Sequence, residues 1–326
     1  MALINLFMLI SKSMKRFLLK IVLLFCIVAI FDIAFGRAMS YIVNHIEVGG
    51  QGRDNYICNE SKDDIMIFGS SRAVHHYNAQ MIEDSLNLSC YNCGDDGNGI
   101  ILSYARLMMI EERKTPSIII VDITPGFDYL YEDDNHKYLG WLKARYERKG
   151  VKDIFETIDP YEKYKMVSQM YRYNSKFLQN IFVYLTSMSS DTGIKGFRPI
   201  AADTESFKTR TQFNKGYKID SLKISYINKL IDLSKASHLF FVVSPIWYGM
   251  DDDLLAPVSS ICQNRNVSFL DFSNSSKYVH NNFYFSDGAH LNAIGADEFS
   301  RDLIKELRKE FADNYQLSKS EHESHE

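Results

Sequence analysis

The run Ser117-Ile-Ile-Ile-Val-Asp122-Ile123 constrains this chain more than any other segment. It is short, β-branched, uninterrupted by polar residues until its end, and preceded by Pro116. A half-buried strand alternates apolar and polar residues, whereas a strand covered on both faces reads as a continuous apolar run. Four more segments read as strands in the same way: IMIF before Gly69, LSCYN ending at Asn92, HLFFVVSP from His238, and VSFLDF from Val267. Helical patterns fall between or after them near residues 79–86, 100–113, 221–233, 252–263 and 293–311. Strand–helix alternation with apolar strands predicts an α/β fold, a parallel sheet covered by helices on both faces. Such sheets gather their sites at the carboxyl ends of the strands.

Residues 127–213 break this alternation. They are rich in Tyr, Lys and Arg, include Trp141, and read as amphipathic helices followed by the loop GFRPIAADTES. The expectation is a helical insertion between two strands, forming a solvated cap beside the rim. Residues 37–63 have weak periodicity and several glycines and read as a stalk. The domain proper then covers 64–312, and 313–326 reads as a disordered tail.

The N-terminus departs from this composition. Lys12, Lys15, Arg16 and Lys20 surround the start of an apolar stretch over residues 17–35, interrupted by Lys20 and Asp32. As a helix this stretch rises about 28 Å, enough to cross the hydrocarbon core of a bilayer. Leading basic residues favour a cytoplasmic N-terminus, with the bulk of the chain extracytoplasmic. Two readings stand for residues 1–36: a single-pass transmembrane anchor, and a signal peptide cleaved near Ala34-Phe35-Gly36. Both export the domain. The net charge of −4 and the absence of a basic stripe exclude a nucleic-acid partner from the expectations. Of five cysteines, Cys26 lies in the apolar stretch. Cys58, Cys90, Cys93 and Cys262 remain, an even number that an oxidising compartment would allow to pair. Cys90-x-x-Cys93 is expected to hold structural cysteines or a local disulfide rather than a metal or redox centre.

Chemistry enters at two distant points. The first strand ends in Gly69-Ser70-Ser71, and near the C-terminus stands Asp287-Gly-Ala-His290-Leu-Asn-Ala-Ile-Gly295. A serine hydroxyl needs a base to take its proton, and the base needs a carboxylate to fix its tautomer. Between them, Asn92-Cys93-Gly94-Asp95-Asp96-Gly97 follows a strand directly, as does Asp122. All are placed to converge on one rim. His75 and His76 follow the serine closely. They are expected to line the pocket rather than to bind a metal with His290 and Asp287.

These blocks resemble the SGNH/GDSL hydrolase superfamily over residues 64–312, the insertion excepted. They are most similar to its membrane-anchored members acting on cell-envelope polysaccharide, including accessory proteins of O-acylation. The resemblance implies a three-layer, flavodoxin-like fold. It implies Ser71 as nucleophile, His290 as base and Asp287 as its orienting carboxylate. The N–H groups of Ser71 and Gly97 become the oxyanion hole, with Gly94 as the fallback donor. Ser70 takes the place of the usual aspartate, and Ser70, Asp122 and Thr124 join the pocket. The third block departs from the family: Val121-Asp122-Ile123-Thr124 has no asparagine where an oxyanion donor normally stands. The implied activity is that of a serine esterase or O-acyltransferase on acyl esters, acetyl foremost, of an envelope carbohydrate. No cofactor or metal is implied, and a membrane acyltransferase is an implied partner. The alternative is a non-catalytic envelope protein that binds glycan or an acylation complex.

Overall fold

The computed structural model describes residues 12–133, 135–188, 193–202 and 217–323, with the backbone alone from 311 onward. Its centre is a five-stranded sheet: β1 (Ile65–Phe68), β2 (Cys90–Asn92), β3 (Ile118–Asp122), β4 (His238–Val243) and β5 (Ser268–Asp271). The spatial order is β2-β1-β3-β4-β5, and every pairing is parallel. The in-register partners Phe68–Val121 and Asp122–Val242 bring neighbouring strand ends to a common edge.

Alternate residues of each strand feed different faces. Ile65 and Ile67 pack with the helices Ala79–Leu86 and Ala293–Glu323, whereas Met66 and Phe68 pack with Ile100–Glu111 and Ser221–Leu233. Side chains alternate with period two on a strand, so two apolar cores form, one on each side of the sheet. This is the α/β architecture expected from the continuous apolar strands.

Four details differ from the sequence expectations. The cysteines are all unpaired, and Cys90 and Cys93, three residues apart on an extended segment, face opposite cores. Residues 37–63 are no stalk. The helix Gly49–Asn55 and the π-turn Tyr56–Glu60 pack on the domain, with Asp54, Asn55, Ile57 and Cys58 all buried. The insertion is not a freely solvated cap, as its contacts below show. The last helix continues to Glu323, past the expected end at 311, through residues that include the good helix formers Leu317, Lys319 and Glu321. Residues 203–216, holding part of the expected loop, lie outside the described set.

At the N-terminus a single helix spans Lys12–Asn44, about 50 Å at 1.5 Å per residue. Its buried residues are Gly36, Met39 and Val43, and its first half carries its apolar side chains unburied. It is long and apolar enough to anchor the chain in a membrane or to act as a signal sequence.

Candidate active site

Gly69 turns the chain from β1 into the short helix Ser71–His76. Its φ of +139° is open to glycine, and a Cβ there would lie 2.7 Å from the Asp122 carbonyl oxygen. Ser71 is thereby the first residue of a helix, half-buried at the strand edge, with no intrahelical acceptor for its N–H. On the far side of the rim, Asn292 caps the last helix: its Oδ1 accepts from Gly295 N–H at 2.9 Å. The loop just before this cap carries Asp287 and His290.

The two loops meet. Ser71 Oγ lies 2.8 Å from His290 Nε2, across 219 residues of sequence. His290 Nδ1 lies 3.0 Å from Asp287 Oδ2 and 3.1 Å from Oδ1. An ionised carboxylate only accepts, so Nδ1 carries the proton and Nε2 is left to accept from the serine hydroxyl. Asp287 Oδ1 also accepts the N–H groups of Ala289 and His290, at 2.7 and 2.9 Å, which fixes the loop that presents the imidazole. Burial alone would raise the Asp287 carboxyl. The His290 hydrogen bond and charge, with those two N–H donors, outweigh it and hold the group at about 2.

That depressed value carries a linkage consequence. A carboxylate whose folded pKa lies below its unfolded value stabilises the fold above the unfolded value, and the contribution disappears as pH falls through the folded one. Asp96 is likewise held at about 2, first by its hydrogen bond with His75 and, against burial, by the Arg198 charge. Stability is therefore expected to drop between pH 3.8 and about 2. Acid unfolding followed by circular dichroism is expected to be less steep for Asp287→Asn than for the native chain.

The loop after β2 is drawn onto β1 and its turn by Cys93 N–H to Ile67 O at 2.6 Å and Asp95 N–H to Gly69 O at 3.0 Å. Its two glycines have separate tasks. Gly94 packs against the helix Ser71–His76, where a Cβ would lie 2.8 Å from Ala73 Cβ, and its N–H is already taken by Asn92 Oδ1 at 3.0 Å. Gly94 is therefore no fallback oxyanion donor. Gly97 has φ +71°, open space where a Cβ would stand, and an N–H that donates to no group among the described residues.

Asp122 is buried within a polar network. Its Oδ1 accepts from Tyr77 Oη at 2.7 Å and Ser244 N–H at 3.1 Å, and its Oδ2 faces Arg72 Nε at 3.3 Å. Ser70 Oγ is 2.8 Å from Thr124 Oγ1. His76 does not line an open pocket: it is completely buried. Its Nδ1 is 2.9 Å from Ser244 Oγ, and its Nε2 accepts Leu291 N–H at 3.0 Å, so the proton sits on Nδ1. Burial, then the charges of Arg72, His290 and His75, lower its pKa well below the usual histidine value. The result is a neutral strut bracing the residue next to His290. With both ring nitrogens spent this way, His76 is not available to a metal.

His75 faces outward along the rim, with Nδ1 2.6 Å from the Arg198 carbonyl and Nε2 3.3 Å from Asp96. Arg198 in turn donates to Asp96 at 2.6 Å, and Lys195 O accepts Asn92 N–H at 2.9 Å. The strand-like end of the insertion therefore lies against the site. Ser244, Arg72, Tyr77 and Arg198 were invisible in the sequence as site residues. For Ser244, immediately after β4, a positional signal did exist, because the ends of β1, β2 and β3 all contribute to this rim.

No family model matches the chain, and none of the curated proteins matches it.

Proposed function

We propose that this protein is a serine-dependent ester hydrolase or O-acyltransferase, resembling the SGNH/GDSL superfamily and acting on acylated carbohydrate at the cell envelope. The observation that carries the proposal is the unbroken relay Ser71 Oγ–His290 Nε2–Nδ1–Asp287, with both gaps at hydrogen-bond distance. A capping turn would account for Asp287 and the His290 backbone, but not for an imidazole edge aimed at a helix-terminal hydroxyl.

In the proposed reaction, His290 Nε2 takes the Ser71 proton as Oγ attacks the ester carbonyl carbon. The oxyanion is met by the N–H groups of Ser71 and Gly97. The carbon–oxygen bond to the alcohol then breaks, the alcohol leaves with the proton from His290, and an acyl-serine remains. Water attacking that ester gives hydrolysis, and a sugar hydroxyl gives transfer. Asp122, spent on Tyr77, Ser244 and Arg72, supplies no third oxyanion donor. Losing one such donor costs about 10²–10³-fold in rate where an enzyme depends on it, so slow turnover of activated esters is the expected phenotype.

The test is covalent: a serine-directed fluorophosphonate is expected to label the full-length protein, with the adduct on the peptide containing Ser71. Failure to label above pH 7, with the chain folded by circular dichroism, would leave the glycan-binding reading in its place.

A further inference from the structure

The insertion grips the N-terminal helix just where its apolar span ends. Asp32 accepts three bonds from one turn of the insertion: Ser168 Oγ at 2.8 Å, Gln169 N–H at 2.7 Å and Met170 N–H at 2.8 Å. One helical turn further on, Gly36 leaves the space that Gln169 fills; a Cβ there would lie 2.4 Å from Gln169 Cβ. Phe35 meets Phe177 edge-on at 6.1 Å, and Met39 and Val43 pack with Tyr173. These contacts straddle residue 36. Cleavage there would remove Asp32 and Phe35 and leave the Gln169 and Met170 N–H groups without the carboxylate that accepts them, so the geometry favours retention of the span.

The same part of the insertion exposes an unusual set of side chains. Tyr161, Tyr164, Val167, Met170 and Leu178 are each more than half exposed, with Val167 at 76%. Basic side chains are interspersed: Lys163 and Lys165 flank Tyr164, and the one acidic residue among them, Glu162, is buried and paired with Lys165 at 2.6 Å. Tyrosines, lysines and single apolar residues are what the headgroup–acyl boundary of a bilayer accommodates. The patch is attached at Asp32 and Gly36, where residues 17–35 would reach that boundary, and it is continuous with the helix's own unburied apolar surface.

We infer that residues 161–178 are a second membrane-contact element, resting in the outer lipid interface beside the span and seating the domain directly on the bilayer. This rests on the anchor reading of the N-terminal helix and is independent of the ester chemistry.

The test uses the full chain reconstituted in vesicles of phosphatidylethanolamine and phosphatidylglycerol, in a Cys26→Ser background whose other cysteines are buried. Single cysteines carrying an environment-sensitive fluorophore replace Val167, Leu178, Ile30 in the span, and Lys235, an exposed residue in the turn before β4. The labels at 167 and 178 are expected to shift to the blue and to be quenched by headgroup-region spin-labelled lipid, and the label at 235 to stay aqueous. The added substitution Asp32→Ala is expected to weaken quenching at 167 while leaving it intact at 30. If 30 is quenched and 167 and 178 remain aqueous, the interfacial element is wrong and the anchor stands. If 30 is also aqueous, the anchor reading itself falls, and the interfacial element falls with it.

Discussion

Ser71→Ala is expected to abolish turnover of an activated acetyl ester, with kcat/KM falling roughly 10⁴-fold or to background. The size follows from the geometry. In the proposed reaction Ser71 Oγ forms and breaks the covalent bond, and among the described residues the neighbouring hydroxyl, Ser70 Oγ, is instead paired with Thr124 Oγ1 at 2.8 Å. Ser70→Ala is therefore the matched control, losing one hydrogen bond worth about 1 kcal/mol and keeping activity within about tenfold. The fold is expected to survive both changes, read as unaltered circular dichroism. Turnover that persists in Ser71→Ala with purified protein would place the nucleophile elsewhere.

Asp54→Ala is expected to cause the largest loss of stability of any single charge removal. Its carboxylate bridges two buried arginines, Arg106 Nη2 at 3.2 Å and Arg145 Nη2 at 2.8 Å, and Arg106 continues to Asp95 Oδ2 at 2.7 Å. Burial penalises the Asp54 charge, yet Arg145 and Arg106 pull its pKa below the usual carboxylate value. Removing it leaves two guanidinium groups in the interior short of a counter-charge. Breaking a buried pair in this way costs about 3–5 kcal/mol, a large fraction of the roughly 5–15 kcal/mol that holds a domain folded. Thermal unfolding is expected to move down by roughly 10 °C. Lys235→Ala, which removes an exposed partner of Asp232, is expected to leave it unchanged. An equal shift in both variants would mean that the cluster is no more than surface electrostatics.

The sheet was readable because a strand covered on both faces has no choice but to be apolar throughout, so Ile118–Asp122 announces its place without tertiary information. The residues of the candidate relay were readable as types, since parallel strands end on one edge and the loops after them share a rim. What stayed hidden depends on long-range pairing. Asp54 sits in a glycine-containing stretch with no period, and its partners lie 52 and 91 residues away. Asp122 read as a possible pocket residue because a strand-end carboxylate says nothing about whether an arginine will be turned inward to meet it. Cys90 and Cys93 suggested pairing by proximity in sequence, which a strand's alternation converts into separation. The insertion's dual attachment, to Asp32 on one side and to His75 and Asp96 on the other, left no periodic trace at all.

Because the hydroxyl and the imidazole come from segments 219 residues apart, the relay does not exist in a partly synthesised chain. The last helix is held to the segment after Ser71 where Asn78 meets Asp297 at 2.7 Å and Ser300 at 2.9 Å. On the proposed chemistry, reactivity thus belongs to the folded pairing and to neither segment by itself. The serine would stay inert until the segment carrying His290 has docked against it.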